Sequence, residues 1–582
     1  MPPTALPTPE AARHLMPLVE RALQAHRQGA LDVAEQLCLE VLDLAPDRPG
    51  ALSILYEIRK AQGRHAAAEA LLTRMVRLDP NNFLATNELA LMLLARGRLA
   101  EAEVHARNAI RIAPENPQAH NLMGMIMTEA HRSPIGEYHY RRVLELSDAR
   151  DPIVLANLAW NLKNQGRMEE ARALYHESMA AAPDIHPTHL GWARLEEADR
   201  KLDEALRVLD GMRARWPDDP AERLARATVL GRMRRHTEAL AELDALAGQD
   251  SFGPNELLEK GRLLDQMGRH DDAWAAYAEA KRMLRERSGS EYMDAVADDL
   301  IQRLRGFFSS GRLRILPRAG VRTDTPQPIF VLGFPRSGTT LVEQTLSAHP
   351  RIRAGDELPL MNDISTLMPR MLGSPLTYPE ALVELWMGDQ RAELDNLRDY
   401  YLQKVGQLGI LDAEARWFTD KMPLNETHLG LIALMFPNAP LVHVIRHPLD
   451  VMVSAMSNLF THGFHCSYDL RTAAIHYVRV MELVRHYRAE MALRYLPIRY
   501  EDMVDDQEGT VRAILAFVGE DFDPRCLAFH ENQRHARTAS YAQVTEPLYD
   551  RSRYRHRHYR RHLEPVIPIL APLIEQLGYT ID

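Results

Sequence analysis

Glycines at 29, 63 and 97 are spaced 34 residues apart, and this spacing constrains the chain more than any other feature. The register passes through His131, shifts by one, and resumes at Gly166, Arg200, Arg234 and Gly268, again 34 apart. Five residues after most of these marks stands an alanine: Ala34, Ala68, Ala102, Ala171, Ala205, Ala239 and Ala273. Prolines close units at Pro46, Pro80 and Pro114, then at Pro183 and Pro217. A small side chain at the alanine position lets the two helices of a unit approach, and a proline stops one helix before the next begins.

A helix-turn-helix unit of 34 residues is the tetratricopeptide repeat (TPR) pattern. About eight units fit between residues 15 and 285. The fourth departs from the pattern: HRSPIGEYHYRR carries a proline and puts Gly136 at the alanine position, so one distorted unit is expected. Stacked units of this kind present a concave surface. A protein or peptide substrate held in that groove, or a second copy of the chain in a homodimer, is the expected partner. A plain spacer is the alternative.

The second half begins with a different signal. The apolar run Pro328–Leu332 enters Gly333-Phe-Pro-Arg-Ser-Gly-Thr-Thr340, and a helical pattern follows. Strand, glycine-rich loop and helix cradle an anion, because backbone N–H groups and the helix N-terminus converge on it. Gly333 and Gly338 have the spacing of an ATP-binding loop, but Thr339 replaces the lysine and Arg336 has been added. Such a loop is built for a different anion, which argues against a kinase.

Further on, residues 440–446 and 495–500 read as buried strands, each followed by a helical pattern. This alternation predicts a mostly parallel sheet covered by helices, with ligands outside the carboxyl ends of its strands. The loop, His447-Pro448 and Tyr500 all fall there. Residues 286–325 read as an amphipathic helix followed by an irregular linker, and residues 1–14 as a tail.

The balance of charge is −10, which argues against a nucleic-acid binder. Cys38, Cys466 and Cys526 are odd in number and far apart, as expected of a reducing, cytoplasmic setting without disulfides. No secretory signal pattern stands at the start, and no apolar run of about 18 residues predicts a membrane span. His443, His447, His462 and His465 lack metal-ligand spacing, so no metal is expected.

With these residues in view, residues 326–582 resemble the sulfotransferases that use 3′-phosphoadenosine-5′-phosphosulfate (PAPS). The likeness is greatest to the protein-tyrosine branch and to the bacterial TPR-linked sulfotransferases. PRSGTTL at 335–341 is similar to that group's 5′-phosphosulfate loop, Arg446 with Ser454 to its 3′-phosphate pair, and Asp420-Lys421-Met-Pro423 to its lysine motif. Tyr500 resembles its nucleotide-contacting tyrosine, and Ser540 begins a stretch similar to its late serine loop. Asn458 stands where the tyrosine branch has an arginine, and Arg555 where it has a late lysine.

The resemblance implies an α/β, P-loop-like sulfotransferase domain behind an all-α TPR superhelix, with PAPS as co-substrate. Arg336, Ser337, Gly338, Thr339 and Thr340 would hold its 5′-phosphate and sulfate oxygens. Arg446, Ser454, Tyr500 and Arg555 would hold the rest. Arg336, Lys421 and Ser540 would offset charge on the leaving phosphate, and Glu357 would serve as base, with the adjacent Asp356 as the alternative. The best expectation for the acceptor is a protein or peptide tyrosine. A carbohydrate or small molecule is the second, and a TPR scaffold with an inactive PAPS-binding domain the third. The basic tract 551–562 is expected to form a lid, with Arg555 as its contact.

Overall fold

The computed structural model describes residues 9–581 apart from 131, 148, 249–251, 289–291, 388–389, 391, 461–463, 532–547, 549 and 551. By packing, the chain forms two units, residues 1–191 and 192–582. The break falls within the repeat array.

Among the described residues, eight helix pairs occupy the chain from Pro9–Arg27 to His270–Ser288. The spaced marks have physical causes. Gly29, Gly63, Gly97, Gly166 and Gly268 all have positive φ (68° to 80°), and the seven spaced alanines are fully buried. Glu35, Glu69, Glu103 and Glu137 each pair with an arginine of the following turn: Arg64, Arg98, Arg132 and Arg167.

The fourth pair is not distorted. Its helices, Pro117–Glu129 and Ser133–Leu146, have the 13 and 14 residues of their neighbours. Pro134 sits in the first helical turn, where no N–H is needed. Gly136 takes the alanine position because a Cβ there would lie 2.7 Å from Asn161 Nδ2 and 3.0 Å from the Gly124 carbonyl.

Two turns hold arginine where others hold glycine: Arg200 at φ 63° and Arg234 at φ 61°. The left-handed region costs an L-residue about 1 kcal/mol. Arg234→Gly is therefore expected to stabilise the protein by about that amount, which denaturant unfolding would register.

Residues 192–582 contain a five-stranded, wholly parallel sheet in the order β2-β3-β1-β4-β5. The strands are β1 (Gln327–Leu332), β2 (Ile352–Arg353), β3 (Trp417–Asp420), β4 (Leu441–Ile445) and β5 (Tyr495–Arg499). Central β1 is wholly apolar from Ile329 to Leu332, as a strand covered on both faces must be. The chain leaves β1 for one edge, then crosses over to β4, so the carboxyl end of β1 is the switch point where such sheets bind ligands.

The junction adds a few buried apolar residues to the core. Helix Asp294–Phe307 pairs with Arg479 through Asp294 and Asp298, and Phe307 and Phe308 join the apolar cluster that includes Phe330. Among the described residues no helix is long and apolar enough to cross a membrane.

Candidate active site

The loop after β1 is held open by glycine. Gly333 has φ 146°, and a Cβ there would lie 2.4 Å from both the Val444 carbonyl oxygen and Ser337 Oγ. Gly338, at φ 109°, precedes helix Thr339–Ser347, and a Cβ there would meet the Tyr500 ring at 2.6 Å. Arg336 is also left-handed, at φ 76°, a conformation that a non-glycine residue keeps only where surroundings hold it. Here its Nε donates to Ser454 Oγ at 3.0 Å.

Arg446, at the end of β4, lies against this loop. One arm of its guanidinium donates to the Arg336 carbonyl at 3.2 Å and the other to the Ser552 carbonyl. The group lies 4.7 Å from the centre of the Tyr500 ring and 3.8 Å from Asp450 Oδ2. Tyr500 is thus the floor under both the loop and Arg446. Burial would raise the Asp450 carboxyl, but His556 and Arg446 outweigh it and hold the group below the usual carboxylate range.

The fit to a phosphorylated ligand is visible in these atoms. Ser337 Oγ and Arg446 Nε are buried donors without a hydrogen-bond partner among the described residues. Buried polar atoms are rarely left so. Together with the glycine cradle and the helix N-terminus at Thr339 they suit phosphate oxygens. No group of three or more His, Cys, Asp or Glu among the described residues could hold a metal ion.

The carboxylate lies past β2. Lys421 Nζ donates to Glu357 Oε1 at 2.6 Å; the lysine is fully buried and the glutamate 27% exposed. Glu357, rather than Asp356, is therefore the carboxylate bonded to the lysine. Gly355 packs against β3 so closely that a Cβ would lie 2.1 Å from the Thr419 carbonyl oxygen. Gly355 N–H donates to Thr419 Oγ1 at 3.1 Å, and Asp356 N–H to Glu343 Oε1 at 3.0 Å. Thr419 in turn donates to Glu343 at 2.7 Å, and the Asp356 carbonyl accepts from Lys421 N–H at 3.0 Å. Glu343 lies on the helix that follows the glycine-rich loop, so one carboxylate ties that helix to the Glu357 segment.

Asp420, beside Lys421, is fully buried and accepts from Tyr401 at 2.6 Å and Asn425 at 3.2 Å. Burial pushes its carboxyl up to about 7, against the pull of those two bonds. The folded chain then holds a proton that the unfolded chain gives up near pH 4 (about the ordinary Asp value). Stability from this group is present below about pH 4 and is lost as pH rises to about 7. Asp420→Asn is expected to flatten the stability profile across that window, as urea unfolding at several pH values would record.

The structure thus brings Arg336, Ser337, Gly338, Thr339, Thr340, Arg446, Ser454 and Tyr500 together, and pairs Glu357 with Lys421. Ser540 lies outside the described residues. Arg555 is bonded to Asp265 on the last helix pair, at 3.0 Å, so the tract that carries it is folded onto the repeats. Sequence reasoning passed over Glu343, Thr419, Asp450 and His556, none of which lies in a motif of its own.

Residues 328–524 match the model of the Sulfotransferase family, and residues 59–126 match a Tetratricopeptide repeat model. Along the chain, a Tetratricopeptide repeat match is thus followed by a Sulfotransferase family match. An uncharacterized protein of Aquifex aeolicus is 35% identical over 260 residues, 43% of this chain and 33% of that protein. Protein-tyrosine sulfotransferase 1 of Danio rerio is 28% identical over 214 residues, 35% of this chain and 56% of its own. Protein-tyrosine sulfotransferase 2 of Gallus gallus is 25% identical over 216 residues, 35% and 54% of the two chains. The chain thus spans between a third and just over half the length of these relatives. A tetratricopeptide repeat protein of Parabacteroides merdae is similar in structure, with TM-score 0.36, 17% identity, and 40% of this chain and 93% of that one covered.

Proposed function

We propose that the second half transfers a sulfuryl group from PAPS to a hydroxyl acceptor, and that the acceptor is a protein or peptide tyrosine. The observation that carries this reading is the Lys421–Glu357 pair, presented by the same sheet whose central strand ends in the anion loop. The likeness to protein-tyrosine sulfotransferases points to the acceptor.

When bound, the donor supplies a sulfuryl group attached to a phosphate leaving group. Arg336, Ser337, Gly338, Thr339 and Thr340 hold its 5′ side through guanidinium, hydroxyl and backbone donors. Arg446 and Ser454 take the 3′-phosphate, with Tyr500 packed beneath. Glu357 accepts the proton of the acceptor hydroxyl. Lys421, with Ser540, meets the charge left on the departing phosphate oxygen. The repeats present a polypeptide acceptor. Three buried, free cysteines suit a reducing setting such as the cytoplasm.

The test is transfer from labelled PAPS onto acidic tyrosine peptides, glycans and small phenols, with Glu357→Ala and Arg336→Ala as controls. Label on tyrosine peptides, lost in both variants, is expected. Label confined to glycans or small phenols would overturn the acceptor. Wild-type rates in both variants would overturn the site.

A further inference from the structure

The last helix pair of the array, Pro254–Gln266 with His270–Ser288, packs within the same unit as the sheet. The basic tract is fastened to it. Arg555 Nη2 lies 3.0 Å from Asp265 Oδ2, and the Tyr559 hydroxyl donates to Asp265 Oδ1. Trp274 stacks on His562, with ring centres 5.2 Å apart.

The other end of this segment reaches Arg446. The Ser552 carbonyl accepts from the Arg446 guanidinium. His556 donates its backbone N–H and its Nδ1–H to Asp450 Oδ1, each at 2.8 Å; a carboxylate can only accept, which fixes the direction. Asp450 faces Arg446 at 3.8 Å through its other oxygen. His556 and Asp450 are both buried, and the His556 ring stacks on that of His447 at 4.1 Å. One short segment, 552–559, therefore holds Arg446 directly through Ser552 and indirectly through His556 and Asp450. Asp265 holds that segment.

We infer that Asp265, on the last repeat, is a positioning residue for the arginine that takes the 3′-phosphate. The inference rests on the donor reading above. Asp265 acts through Arg555, Tyr559 and the turn between Ser552 and His556. A contiguous set of hydrogen bonds, several of them charge-assisted, fixes the geometry of the side chain at its end. The final helix pair is then part of the donor site, and the array does more than lead up to the enzyme.

The test uses the full chain and two probes, adenosine 3′,5′-bisphosphate and adenosine 5′-monophosphate, with affinities measured by calorimetry. Asp265→Asn is expected to weaken the bisphosphate about tenfold while leaving the monophosphate unchanged. Asp265→Glu is expected to restore most of the loss. Arg555→Lys, which keeps charge but loses the forked geometry, should repeat the selective loss and serves if Asp265→Asn fails to fold. An unchanged preference for the bisphosphate in folded variants would overturn the inference, as would equal weakening of both probes. A wild-type protein that does not prefer the bisphosphate would overturn the donor reading itself, before any variant is compared.

Discussion

Glu357→Gln is expected to lower turnover by about 10²–10⁴-fold and to leave the affinity for adenosine 3′,5′-bisphosphate within about twofold. The carboxamide oxygen can still accept from Lys421 Nζ, which reaches Glu357 at 2.6 Å. It cannot take a proton from an acceptor hydroxyl. Because Lys421 is fully buried, losing its negative partner also costs stability, about 1–3 kcal/mol. Steady-state kinetics, calorimetry and unfolding measured on one preparation separate these effects. Unchanged turnover would remove Glu357 as base and direct attention to Asp356.

The second large effect is expected at the loop. In Gly333→Ala the new methyl group would stand 2.4 Å from the Val444 carbonyl oxygen, which is β4 backbone and cannot yield without breaking the sheet. It would also stand 2.4 Å from Ser337 Oγ, one of the buried donors. The backbone itself is at φ 146°, which an L-residue rarely adopts. Strain and overpacking of this kind together cost about 2–5 kcal/mol. The loop relieves it by moving, so bisphosphate affinity is expected to fall more than about 10²-fold. Calorimetry checks this, and wild-type affinity in the alanine variant would show that the loop does not bind the nucleotide.

The repeat array was legible because its described marks answer to turn geometry or to close helix packing. The glycines turn, the alanines are buried, and even Arg200 and Arg234 hold the left-handed conformation their spacing demands. Pro134 and Gly136 looked like damage because their roles depend on helix position and on Asn161 and Thr128 across the packing, neither visible in a linear pattern. Strands β2 and β3, two and four residues long, are too short to show a period.

The glycine-rich loop was legible for the same reason as the turns: its glycines answer to local geometry. The supports around it were not. Glu343 meets Thr419 from 76 residues away, Asp450 meets His556 from 106, and Arg555 meets Asp265 from 290. A lone acidic residue in a helix reads as solvated until the fold supplies its partner. Arg555 illustrates the converse, since its charge was legible and its partner was not.

Glu343 makes two parts of the site answer to a single side chain. It sits on the helix that the phosphate loop leads into, yet its carboxylate fastens the segment bearing Glu357. The loop and helix are therefore joined through one carboxylate to the segment that bears Glu357. Glu343→Gln is therefore expected to impair nucleotide affinity and turnover together, which calorimetry and steady-state kinetics on one preparation would record.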